Sequence, residues 1–157
     1  MVSAPLTSPA IREDNKERLR LWIRMHRASR SIEAELRERL KTEFGSTLPR
    51  FDVMAALYRQ PDGMLMSDLS RFLLVSNGNV TGIVDRLVTD GLVSRAKRDG
   101  DRRTSIVRLT SSGMAAFEAM AEAHEDWINT YLQGVTPDQA MRLSSMLKSF
   151  QSNWEGE

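Results

Sequence analysis

Six basic side chains, Arg95, Lys97, Arg98, Arg102, Arg103 and Arg108, crowd into one short stretch of the sequence. Guanidinium groups present forked donors that match phosphate and carboxylate oxygens, so the run is either a polyanion-binding surface or a solvated charged face. Just upstream, Ser76, Asn77, Asn79, Thr81 and Arg86 supply hydroxyl, amide and guanidinium groups around Gly78 and Gly82. Such groups bond base edges as readily as phosphates; the pattern also fits an ordinary solvated first turn of a helix. A third set, Trp22, His26 and Arg30, recurs every four residues and so shares one helix face, combining an aromatic wall, an imidazole and an anion-binding fork. Cysteine is missing, which removes disulfides, thiolate metal sites, cysteine nucleophiles and thiol redox sensing. His26 and His124 are the only imidazoles, so a transition-metal site would need carboxylates for most of its ligands. No GxSxG, HExxH or Walker loop occurs, and the expectation is a non-enzyme without metal or cofactor.

Periodicity predicts the elements that carry these groups. At 157 residues, 41% hydrophobic and 27% charged, the chain fits one domain of ordinary size with long arms. Residues 1–11, with two prolines and no apolar period, read as a mobile tail. From about Arg12 to Glu43 no Gly or Pro interrupts a stripe of Leu21, Met25, Ala28, Ile32, Leu36 and Leu40, which predicts one long amphipathic helix ended by Gly45. A second helix follows Leu48-Pro49, and Gln60-Pro61-Asp62-Gly63 is a turn. A short helix is expected from a Ser67 cap, and the next, about 77–89, from a Ser76 cap, with Val80, Ile83, Val84 and Leu87 inward. Segments 92–98 and 104–110 are rich in strand formers and flank Asp99-Gly100, a hairpin signal. Thr110 to Gly113 opens a helix to about Leu132, and Thr136-Pro137-Asp138-Gln139 has the form of a capping box before a last helix striped with Leu143, Met146, Leu147, Phe150 and Trp154. The opening MVSAPLTSPAIRED lacks a basic region followed by an apolar core, and no apolar run approaches the ~18 residues of a membrane span, so a cytoplasmic protein without membrane contact is expected.

Helix, short helix, tight turn, helix and a hairpin with a charged tip is the order of a winged helix-turn-helix. The fold class expected is mainly α with a small β-hairpin wing, flanked by N- and C-terminal dimerisation helices: 12–47 as first helix, 48–110 as the DNA-binding unit, 111–157 as terminal helices. With Val80 at the centre of the buried face, Gly78, Gly82 and Asp85 fall on the far side. Small residues there would let the backbone approach a major-groove floor, while arginines on a thin projecting loop can enter a minor groove. The two features together are more specific than either alone. The stripes of the outer helices expose more apolar surface than a small winged helix could cover, which predicts a homodimer.

From Leu48 to Gly113 the sequence resembles the MarR family of bacterial transcriptional regulators, most closely in SNGNVTGIVDRLVTDGLVSR (76–95) and DRRTSIVRLTSSG (101–113). The second string matches the family's wing signature at Asp101, Arg103, Leu109, Thr110 and Gly113. The resemblance implies that Arg103 reaches the minor groove of a double-stranded operator and that Asp101 orients a neighbouring arginine, Arg103 or Arg86. It also implies an effector pocket between the first helix and the winged unit, where Phe51, Met54, Tyr58, Met64 and Met66 would line a site shared with Trp22, His26 and Arg30. The effector implied is an aromatic carboxylate or its CoA thioester, as for regulators of aromatic-acid catabolism. On the residues alone, Trp22 equally suits core or interface packing, and His26 a satisfied structural group.

Charge is segregated. Residues 1–70 hold 12 basic and 10 acidic side chains, 71–108 hold 8 and 4, and 109–157 hold 2 and 7, within a net charge of +1. The run 16–30 sets Lys16, Arg18, Arg20, Arg24, Arg27 and Arg30 against Glu17 alone, which suits solvent, DNA or a large anionic ligand. A winged helix that binds only protein remains the competing expectation.

Overall fold

The structure, a computed structural model, describes residues 9–73, 77–97 and 104–154, with side chains over 15–73, 79–97 and 104–150. Helix α1 spans Pro9–Phe44. It begins three residues before the expected start because Pro suits the first turn of a helix, where its missing N–H is unneeded. The Gly45 N–H donates to the Lys41 carbonyl and the Ser46 N–H to the Leu40 carbonyl, both at 3.0 Å, and Gly45 takes φ 59°, a left-handed cap that favours glycine.

Helix α2 (Leu48–Tyr58) has Thr47 as N-cap, its hydroxyl accepting from the Arg50 N–H. After a turn in which Gly63 takes φ 93°, Met64–Leu65 form a short strand, β1, and Met66–Phe72 form α3. The expected Ser67 cap is not one. Leu65 holds the N-cap position without any side-chain bond, because pairing with Ile106 already keeps it extended. Helix α4 (Asn77–Thr89) and strands β2 (Val93–Lys97) and β3 (Ser105–Leu109) lie where expected. The sheet order is β1-β3-β2, all antiparallel, with Val93 opposite Leu109 and Lys97 opposite Ser105. Helices α5 (Ser111–Tyr131) and α6 (Pro137–Trp154) complete the chain; the Thr136 hydroxyl accepts from the Gln139 N–H while Gln139 Oε1 accepts from the Thr136 N–H, the reciprocal capping box.

The described residues fall into two compact units divided after Phe117. In the first, Leu40, Val53, Met54, Leu57, Leu69, Val80, Val84, Leu87 and Val107 are fully buried, so one core ties the end of α1 to α2, α3, α4 and β3. Gly113 sets how closely α5 approaches it: a Cβ there would lie 1.9 Å from the Leu92 carbonyl oxygen. That carbonyl accepts from the Thr110 N–H, and the Thr110 hydroxyl donates to the Gly91 carbonyl at 2.7 Å, locking the start of α5 to the turn after α4. Among the described residues no helix is long and apolar enough to cross a membrane.

Candidate nucleic-acid interface

Burial of Val80, Val84 and Leu87 turns the opposite face of α4 outward. Gly82 lies on that face, and a Cβ built on it would meet nothing within 4 Å. A glycine inside a helix costs about 1 kcal/mol relative to alanine, and no packing among the described residues requires it. Asn79 and Arg86 beside it are exposed, and Thr81 is half-buried. Asn77 and Gly78 belong to α4 by backbone; the Asn77 side chain and Ser76 lie outside the described residues.

One flank of α4 is tied to the wing. Arg95 on β2 donates from Nη1 to Asp85 Oδ1 at 3.0 Å, joining α4 to the hairpin. In the sequence these two residues belong to separate groups, and an ion pair spanning ten positions around a helix-strand turn leaves no local pattern. Lys97 is exposed at the end of β2. Arg98, Asp101, Arg102 and Arg103 lie outside the described residues, and with them the expected Asp101 contact. Arg108 is held elsewhere, its Nε donating to the Asp62 carbonyl at 2.7 Å.

The other flank opens into a cleft of about 610 Å³ lined by Arg37 from α1, Thr47, Pro49 and Arg50 at the start of α2, and Asn79, Gly82, Ile83 and Arg86 from α4. Arg50 donates from Nη2 to Asp90 Oδ2 at 2.5 Å, and its Nε is buried with no partner among the described residues. Arg37 donates to Glu33 Oε1 at 2.5 Å. That hydrogen bond, then the Arg37 charge, holds the Glu33 carboxyl below its ordinary value, Arg30 adding a smaller pull and desolvation opposing. Neither Arg37 nor Arg50 was singled out from sequence, since they meet α4 only in the folded chain.

The residues expected around an effector fall in several places. The rings of Trp22 and His26 meet on α1 with centroids 5.4 Å apart and planes tilted by 34°, and Trp22 is 57% exposed. Arg30 is also exposed. Phe51 and Tyr58 converge on Phe117, at 5.4 and 4.8 Å, a residue of α5 that no local sequence pattern connects with them. Beside Tyr58 a cavity of about 50 Å³ is lined by Leu57, Pro61, Leu109 and Met114, far below the ~300 Å³ of small-molecule pockets. Met54 is fully buried and Met66 nearly so, while Met64 lines a separate hollow with Asp62, Asp68 and Ile106.

Comparison with known proteins agrees with this geometry. A MarR family model matches residues 44–104. The transcriptional activatory protein BadR of Rhodopseudomonas palustris is 32% identical over 105 residues, 66% of this chain and 59% of that protein. The HTH-type transcriptional repressor IacR of Pseudomonas putida is 30% identical over 118 residues, covering 75% and 70%. A MarR family transcriptional regulator from Silicibacter pomeroyi superposes with a TM-score of 0.76 at 33% identity, covering 94% of this chain and 99% of that one. A mutant MarR from E. coli complexed with operator DNA gives a TM-score of 0.73 at 26% identity, covering 85% and 95%.

Proposed function

On the premise that this chain belongs to the MarR family, we propose that it is a homodimeric transcriptional repressor, released from its operator by an aromatic acid or aromatic acyl-CoA. Each protomer lays α4 in a major groove and the wing tip, residues 99–103, in the adjacent minor groove. The observation that carries this reading is the outward face of α4: a glycine with open space before it, polar neighbours beside it, and Asp85 joined to Arg95 of the wing. Two such units read half-sites about 34 Å apart, one helical turn. Of the relatives, BadR is named an activator and IacR a repressor; transcription from a reporter with and without the protein distinguishes the two. No catalytic step is assigned, and a cytoplasmic location follows from the role.

The effector reading is supported by the adjoining, solvent-facing rings of Trp22 and His26 with Arg30 one turn further along α1. Calorimetric titration with benzoate-type acids and their CoA thioesters tests it, and absence of heat from every one would remove it. DNA binding is tested by its salt dependence, with log K falling by about 0.9 per log unit of salt for each phosphate contact. A flat response would favour the protein-only winged helix. Arg103→Ala is expected to weaken operator binding by about 1 to 3 kcal/mol while leaving the dimer intact. Unchanged affinity would withdraw Arg103 from the minor groove.

A further inference from the structure

Helix α4 has two different flanks. Thr81 and Asp85 lie on one, with Arg95 and the wing; Asn79, Ile83 and Arg86 lie on the other, with Gly82 between. An α-helix with its side chains is about 10 to 12 Å across, and the major groove is about 12 Å wide. A helix seated there therefore meets the phosphates of both strands, one along each flank. The wing accounts for one side only.

On the remaining side stands the arginine-lined cleft between the end of α1, the start of α2 and α4. We infer that this cleft seats a backbone phosphate of the strand opposite the wing, with Arg86 and Arg37 as its contacts. The inference rests on the DNA-binding reading above and adds to it a contact from α1, outside the helix-turn-helix and the wing. The helix end itself supplies little, because Pro49 has no amide hydrogen and the Arg50 amide is taken by Thr47. The guanidinium groups carry the site. Arg86 is exposed and has no ion pair among the described residues. Arg37 is 55% exposed in its side chain and shares its charge with Glu33. Arg50 is bound to Asp90 and 20% exposed, so it shapes the wall from behind and fixes the start of α2 to the residue that follows α4.

Position separates a DNA phosphate from a soluble carboxylate as occupant. The cleft shares Asn79 and Gly82 with the face offered to the groove floor, so a ligand there is covered by DNA whenever α4 is docked. Arg37→Gln and Arg86→Gln test the assignment, with Arg142→Gln on α6 as control. The probe is a fluorescent duplex enriched from a random-sequence pool by the wild-type protein, titrated over a range of salt concentrations. Each cleft substitution is expected to reduce the magnitude of the salt slope by about 0.9 and to weaken binding about fivefold for every duplex tested. The control slope stays at the wild-type value. Glu33→Gln, which releases Arg37, strengthens binding. Arg37→Gln is decisive, since its side chain comes from outside the DNA-reading motif: a wild-type slope in that folded variant overturns the inference and leaves DNA binding intact. A flat slope in the wild type removes the DNA reading and this inference together. Calorimetry with benzoate at constant ionic strength covers the other source of an anion. Heat that disappears in Arg86→Gln, with the salt slope of Arg37→Gln unchanged, would give the cleft to a small carboxylate and overturn the proposal.

Discussion

Two glycines, Gly82 in α4 and Gly113 at the start of α5, have opposite reasons to be there. At Gly113 a side chain would strike the Leu92 carbonyl, so the fold itself requires the residue. At Gly82 a side chain would meet open space, and alanine in its place would favour the helix by about 1 kcal/mol. A position that lowers stability without an internal reason is expected where an external surface comes close. Gly82→Ala is therefore predicted to raise the chemical-denaturation midpoint while weakening operator binding, by about tenfold if the added methyl lifts the helix from the groove floor. Denaturation and anisotropy titrations on the same preparation read both signs. A more stable variant with unchanged DNA affinity would move α4's contact face away from Gly82.

At the level of elements, the proposed docking depends on the joint between α4 and β2, which would decide whether helix and wing reach their grooves together. Asp85 and Arg95 are partly exposed, so their pair contributes under about 1 kcal/mol to stability. Its larger effect is expected on alignment. Asp85 lies on the flank of α4 toward the wing, so removing its charge would by itself strengthen attraction to phosphate. Asp85→Asn is predicted to weaken operator binding instead, and to lose most of that effect in an Arg95→Ala background, a coupling that a double-mutant cycle measures. Stronger binding in Asp85→Asn would mean that the pair does not position the wing. The pair also illustrates what the sequence could and could not disclose. The recognition helix, the hairpin and the capping box at Thr136 were legible because period, turn chemistry and caps act within a few residues. Strand β1 was not, since two residues have no period and Met64–Leu65 are extended only because β3 pairs with them. That pairing also displaced the expected Ser67 cap. Arg50 and Asp90, forty positions apart, meet only after α2 and α4 pack, so the second flank of the site was invisible to local patterns.

For the molecule as a whole, the apolar stripe of α6 is the strongest argument for a second copy. Met141, Leu143, Met146, Leu147 and Phe150 recur at helical spacing, and each is between 41% and 62% exposed. Helix α1 leaves Leu19, Leu21, Trp22 and Ile23 between 39% and 57% exposed. A monomer rarely leaves an apolar helix stripe of this kind in water. The charge distribution suits the proposed role, with a basic excess in residues 71–108 and an acidic excess in 109–157. If α6 forms a two-fold interface, every substitution in it counts twice. A buried leucine contributes about 2 kcal/mol, so Leu147→Glu should cost at least about 4 kcal/mol of dimer stability, roughly a thousandfold in dissociation constant. Sedimentation velocity at micromolar concentration should then show twice the 17.8 kDa mass for the wild type and the single-chain mass for the variant. If two protomers read two half-sites, as proposed, the variant should also bind the operator far more weakly while keeping its helical circular dichroism. A wild-type protein that sediments as a monomer would end the dimer proposal, and a monomeric variant with wild-type operator affinity would detach DNA reading from dimerisation.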